Sequence, residues 1–206
     1  MTPIIETFTG LRVNPLFVKE TDIVIEDIAH SLALINRFCG HTQRPNSVAQ
    51  HSVYVSRLCD LHEVNCTFGG LSRGTCSCGA SKVALQALLH DASEAYLGDV
   101  TKWLKASPEF AAYRRVEATT QRTIYRRFGC AEIQHPLVNI ADTLMVRFEA
   151  YKNSPTHAMF DLPDYPPPTI KEMARVGPWA PWTWRQSEEL FLQQFRELLG
   201  SNVSAI

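Results

Sequence analysis

Apolar residues recur at three- and four-residue intervals along almost the whole chain, and this periodicity confines it to packed helices. Ile28, Leu32 and Ile35 mark a first helix over residues 26–38, with Gly40 just past its end. A second covers 47–61 and opens on a capping box, Ser47 with Gln50 three residues on. A third spans 81–97 and is closed by Gly98. Ser107, Pro108 and Glu109 start a fourth that Gly129 ends, and Pro136 starts a fifth that reaches residue 151. The last covers 184–199, with Gly200 as its stop. Only residues 4–18, with turn signals at Gly10 and Asn14-Pro15, read as an extended arm. Two stretches interrupt the pattern. Residues 63–80, rich in Gly, Ser, Thr and Cys, read as an inserted loop; residues 153–181 hold seven prolines and read as mostly irregular. The expectation is an all-α bundle in which residues 1–206 form one domain, since 206 residues at 45% hydrophobic suffice for one sizeable core.

Charge and hydropathy exclude several classes of partner. The formal net charge is -1, and Lys and Arg are scattered apart from pairs such as Arg114-Arg115, so a nucleic-acid polymer is not expected. No apolar stretch approaches the roughly 20 residues of a membrane helix, and the N-terminus lacks the basic and apolar regions of a signal peptide. A cytoplasmic protein is expected, in the host cytoplasm if a phage encodes it. Of the six cysteines, Cys39, Cys59 and Cys130 lie within or beside helical patterns and read as reduced thiols. His62, Cys66, Cys76 and Cys78 offer the donors of a tetrahedral structural zinc site. Against that, Cys-Ser-Cys is tighter than the usual Cys-x2-Cys, and free thiols in a polar loop compete. Trp179, Trp182 and Trp184 read as packing over the core, with an oligomer interface as the alternative.

The chemistry is carried by the run Leu88-Leu89-His90-Asp91-Ala92-Ser93-Glu94. An imidazole and a carboxylate directly after an apolar run need partners, because burying them unpaired costs several kcal/mol. Glu94 lies one helical turn beyond His90. Alone, a His-Asp dipeptide is more often a hydrogen-bonded structural pair. Two companions change its weight: His51 in the second helix, and Asp142 in the fifth, flanked by Ile140, Ala141 and Leu144. Three helices of a bundle can thus project two imidazoles and two carboxylates toward one point.

A His, then His-Asp, then a distant Asp, all on helices, resembles the HD-domain phosphohydrolases, in the branch containing bacterial 5′-deoxynucleotidases and phage dATP triphosphohydrolases. The resemblance covers roughly residues 22–150. It is most specific from His90 to Glu94 and on to Gly98-Asp99, with support from residues 25–30 and 37–42. It implies an HD-type bundle, a metal held by His51, His90, Asp91 and Asp142, and Glu94 assisting the chemistry. It also implies Asp99 beside the sugar favouring deoxyribose, Arg37 at the phosphate, and Phe38 near the base, where the bacterial enzymes carry a tryptophan. Other readings stay open: Arg37 at the end of its own helix, Phe38 in the core, Asp99 as a local cap, and His30 and His41 as structural histidines. Lys102 and Lys105 lie past Asp99, where they either neutralise substrate phosphate or sit on the surface.

A metal lowers the barrier to phosphate ester hydrolysis by polarising a phosphoryl oxygen and acidifying water. Mixed nitrogen and oxygen donors favour Co, Mn, Zn or Fe over Mg, and Glu94 is the candidate general acid or base. The motif serves both monophosphates and triphosphates. The phage-like segments put a dNTP, with dATP first, ahead of a dNMP. A non-catalytic nucleotide sensor is the alternative from another class, but such degeneration usually loses a ligand or the assisting acid, and all five are present. Enzymes of this branch associate as dimers or hexamers, so a homo-oligomer is expected.

Overall fold

In the computed structural model, which describes residues 3–64, 80–161 and 166–203, the fold is all-α apart from one small hairpin. Strands β1 (Ile5–Glu6) and β2 (Arg12–Val13) pair antiparallel. Their connection turns at Gly10, whose φ of +87° suits a residue without Cβ. The hairpin is pinned to the bundle by Thr9, whose N–H and hydroxyl donate to Asp27 at 2.7 and 2.9 Å. The helices are α1 (Ile25–Leu34), α2 (Val48–Val64), α3 (Ala80–Leu88), α4 (Glu94–Leu97), α5 (Lys102–Ala106), α6 (Ala111–Arg127), α7 (Pro136–Asn153), α8 (Ile170–Val176) and α9 (Trp184–Val203).

Helix α2 is the axis of the molecule and packs against α1, α3, α7 and α9. Val48, Ala49 and Val53 face one apolar cluster, with Ile28, Leu32, Leu85, Leu88 and Phe191. Tyr54, Val55 and Leu58 face a second, with Ala87, Val138, Met145 and Phe148. Each large aliphatic side chain in these clusters contributes on the order of 1.5–3 kcal/mol by leaving water. From Val48 to Ser56 α2 is buried all round, so its polar residues there must be satisfied internally. Gln50 donates to the Ala180 carbonyl at 2.8 Å and accepts from the Trp182 N–H at 3.0 Å. Ser56 donates to the Ala84 carbonyl at 2.8 Å. The expected capping box is therefore half present: Ser47 Oγ accepts the Gln50 N–H at 3.1 Å, but the Gln50 side chain is spent on the segment that leads into α9.

The helices depart from the sequence reading in several places, and the short α5 stands where no helix is expected. The first helix stops at Leu34 rather than residue 38, because an antiparallel bridge between Asn36 and Ser47 takes over. Beyond it Phe38 and Cys39 adopt φ of 56° and 51°, unusual for residues with a Cβ, before Gly40. The third helix breaks after Leu88, and only α4 precedes Gly98. Helix α8, capped by Thr169 and Glu172 accepting each other's backbone N–H, lies inside the proline-rich segment expected to be irregular. Helix α9 runs through Gly200 to Val203, an interior glycine costing only about 1 kcal/mol. Trp179 and Trp182 pack against the core as expected, whereas Trp184 is over a third exposed. Cys39, Cys59 and Cys130 form no disulfide. No helix among the described residues is long and apolar enough to cross a membrane. Cys66, Cys76 and Cys78 lie outside the described residues, as does the side chain of His62.

Candidate metal centre and cleft

The break between α3 and α4 presents His90 and Asp91 side by side. On an unbroken helix they would diverge by about 100°. Here the chain tightens into short turns: Ala92 N–H donates to the Leu89 carbonyl and Glu94 N–H to the Asp91 carbonyl, both at 3.0 Å. Gln121 of α6 repairs the break, accepting the Ser93 N–H at 3.0 Å and donating to the Leu89 carbonyl at 2.6 Å.

His51 from α2, His90 from the break and Asp142 from α7 bring ligand atoms within 4.8 Å of one another. His51 Nε2 lies 3.1 Å from Asp142 Oδ1, and His90 Nε2 lies 3.8 Å from the same oxygen. Asp91 Oδ2 flanks them at 3.2 Å from His90 Nε2 and 3.9 Å from His51 Nε2, and accepts a hydrogen bond from Arg37 Nη1 at 3.1 Å. The far nitrogen of each ring is engaged. His90 Nδ1 reaches the Ala87 carbonyl at 2.8 Å, and His51 Nδ1 reaches Glu149 Oε1 at 3.0 Å. Because carbonyls and carboxylates only accept, the protons are assigned to Nδ1, which leaves Nε2 of both rings as lone pairs.

This arrangement fits a divalent cation. His90 Nε2 is buried with no hydrogen-bond partner among the described residues. A lone pair facing a carboxylate is repulsive unless a proton or a cation lies between them. Without a cation the proton fills that role. Burial works against charge on His90, but Asp91 and Asp142 outweigh it and raise its pKa well above the ordinary value. Burial likewise favours neutral Asp142, yet the two imidazoles hold its pKa well below the carboxylate range.

A cleft of about 190 Å³ opens beside these groups, lined by Arg37, Asp91, Glu94, Asp99, Lys102 and Asp142 among others. All four residues assigned to substrate, Arg37, Phe38, Asp99 and Lys102, lie on it, as do Trp103, Lys105 and Val146. The Arg37 side chain bonds Asp91 and Glu149 rather than a helix end, and Phe38 is half-buried on the cleft; both belong to the turn after α1. Glu94 is buried. Oε1 lies 3.4 Å from Lys105 Nζ, and Oε2 has no partner among the described residues. Burial, then the charges of Asp91 and Asp99, push its pKa well above the usual range. Asp99 is pushed up as well, by burial first. His30 is structural: it meets Glu188 at 3.1 Å and stacks on Phe8. His41 ends the exposed turn after Phe38.

The sequence reading passed over Glu149. It is fully buried in α7, two turns beyond Asp142 on the same face, and accepts from His51 Nδ1 and Arg37 Nε. The available signal was an acid at the seven-residue spacing inside an apolar helix; as charged residues seldom sit in a core, it asked for a partner.

The model of the 5′-deoxynucleotidase YfbR-like family matches residues 27–129, a span that holds Arg37, His51, His90, Asp91, Glu94 and Asp99. The protein YfdR of Escherichia coli (strain K12), described as uncharacterized, is 33% identical over 145 residues, covering 70% of this chain and 69% of its own. A second protein described as uncharacterized, from Rhodobacter capsulatus, is 34% identical over 148 residues, covering 69% of this chain and 68% of its own. With the family match spanning His51, His90, Asp91 and Glu94, the chain belongs to the YfbR-like 5′-deoxynucleotidase family, metal-dependent deoxynucleotide phosphohydrolases of the HD-domain superfamily.

Proposed function

We propose that the protein removes the phosphate of 2′-deoxynucleoside 5′-monophosphates, giving deoxynucleoside and orthophosphate. The triphosphate reading that led in the sequence yields to this one. The observation that carries it is the charge of the cleft, where Arg37, Lys102 and Lys105 stand against Asp91, Glu94, Asp99 and Asp142. Lys105 is already held by Glu94 and Glu117. A polyanionic triphosphate would need more cationic partners than remain, whereas one phosphate group is matched by a divalent ion and Arg37. The family's description points the same way.

His51, His90, Asp91 and Asp142 would hold the ion, and their mixed donors favour Co, Mn, Zn or Fe over Mg. The ion supplies Lewis acidity, polarising a phosphoryl oxygen and lowering the pKa of water. Arg37 offers a phosphate oxygen the guanidinium donors left over from Asp91 and Glu149. Glu94 keeps its proton to higher pH than an ordinary carboxyl. As a water oxygen bonds to phosphorus and the bond to the 5′ oxygen breaks, Glu94 delivers that proton from Oε2 to the 5′ oxygen, and the proton shed by the water leaves with the orthophosphate. Asp99 faces the sugar, where a carboxylate crowds a 2′-hydroxyl, and Phe38 lies beside the base.

Metal-stripped protein with Co(II) or Mn(II) restored tests this on paired deoxy- and ribonucleoside monophosphates. The expected result is orthophosphate release that depends on the ion and is faster for the deoxy member of each pair. Protein that binds the ion and releases phosphate from none of them contradicts it.

A further inference from the structure

Glu149 has no part in the reaction as just described, yet it is wholly removed from water. A carboxylate so placed is costly unless each oxygen is paired. Its two oxygens go to different parts of the site: Oε1 to His51 Nδ1 at 3.0 Å, Oε2 to Arg37 Nε at 3.1 Å. Arg37 stands on a turn outside any helix, and its long side chain would otherwise sample many rotamers. Glu149 at Nε and Asp91 at Nη1 together fix the plane of the guanidinium. On the other side, the bond to His51 Nδ1 sets the ring's rotation and turns Nε2 toward Asp142.

We infer that Glu149 is a positioning residue that aligns two groups at once, the His51 imidazole for the metal and the Arg37 guanidinium for the substrate phosphate. The inference rests on the reading of His51 as a ligand and Arg37 as a phosphate contact. It goes beyond that reading by making the two sites depend on one carboxylate. His51 Nδ1 and Arg37 Nε both meet Glu149 as N–H donors, one on each oxygen, with Asn46 an additional neighbour, and an amide at this position keeps only one acceptor oxygen. Glu149→Gln therefore deprives either His51 or Arg37 of its partner without changing side-chain volume.

The test measures Co(II) affinity of Glu149→Gln by calorimetric titration, and KM and kcat for a deoxynucleoside monophosphate at saturating Co(II). The Co(II) dissociation constant should rise by about 10–100-fold, or KM should rise by about tenfold with kcat changed far less. Rescue of neither loss by higher protein stability, tested with stabilising osmolyte, marks the effect as positional. A variant that melts earlier but keeps wild-type Co(II) affinity and KM has lost a structural ion pair only, and overturns the inference. If wild type itself neither binds Co(II) nor turns over the monophosphate, the reading of the site fails and the inference falls with it. If wild type does both and the variant matches it, the inference alone fails. Should the variant not fold, the histidine nitrogen NMR spectrum of Zn(II)-loaded wild type decides. An exchange-protected proton on His51 Nδ1 supports the inference, and a proton on Nε2 or a freely exchanging ring overturns it.

Discussion

The metal-facing wall of the cleft stands on long buried helices, α2 and α7, and on a break stitched by Gln121. The opposite wall is a turn after α1 and the five-residue helix α5. His51 is fully buried and both its ring nitrogens are engaged; Trp103, across the cleft, is about half exposed. The first wall is stiff because moving any of its groups would strand a buried charge. On the second, Arg37 and Lys105 are tied to the buried acids Glu149 and Glu94, but Trp103 and Lys102 can change at little cost to the fold. On the proposed reading, chemistry belongs to the wall that folding already determines, and substrate choice to the half-exposed residues of the other.

If that contrast holds, the largest effects lie on the stiff wall. His90→Ala or Asp142→Ala should abolish Co(II) binding and lower deoxynucleoside monophosphate turnover by on the order of 10⁴-fold, roughly 5.5 kcal/mol of transition-state stabilisation. Glu94→Gln should keep Co(II) affinity while kcat falls about 10²–10³-fold; a variant that loses metal instead would make Glu94 a ligand. On the open wall, Asp99→Ala should leave metal binding intact and reduce the preference for deoxyribose over ribose by roughly tenfold, read as a ratio of kcat/KM values. An unchanged ratio would return Asp99 to the role of a local cap.

The same contrast explains what the sequence revealed. The segments bearing His51, His90-Asp91 and Asp142 were readable because the apolar periodicity around them is strong and a polar group inside it has to be accounted for. The break at Leu89 was not readable: its stabilising partner, Gln121, is distant in the chain, and no local signal separates residues 81–97 from one helix. The turn that carries Arg37 and Phe38 was read as helix for a similar reason, since the bridge that ends α1 is made with Ser47. Helix α8 was hidden by its prolines, although its capping pair, Thr169 and Glu172, was present in the sequence. Glu149 was missed because its partners come from two other segments, α2 and the turn before it.

The smallest predicted effect is on the stability of metal-free protein. Burial opposes charge on His90, but Asp91 and Asp142 outweigh it, so its folded pKa stands well above 6.5. A raised folded pKa stabilises fully below the unfolded value, and that contribution is lost as pH rises through the folded value. Glu94, raised mainly by burial, acts with the same sign. The Tm of metal-free protein should therefore fall by about 2–4 °C as pH climbs above neutral. With Co(II) in place of the imidazole proton, the share of the fall due to His90 should disappear. A metal-free Tm that rises over the same range would mean the imidazoles are not facing their carboxylates.

The most direct test of the central claim sets an equimolar deoxynucleoside monophosphate and triphosphate against each other with Co(II)-loaded protein, and resolves the phosphate products by ion-exchange chromatography. The account predicts orthophosphate and deoxynucleoside from the monophosphate, with the triphosphate left intact. Tripolyphosphate appearing while the monophosphate persists would contradict it.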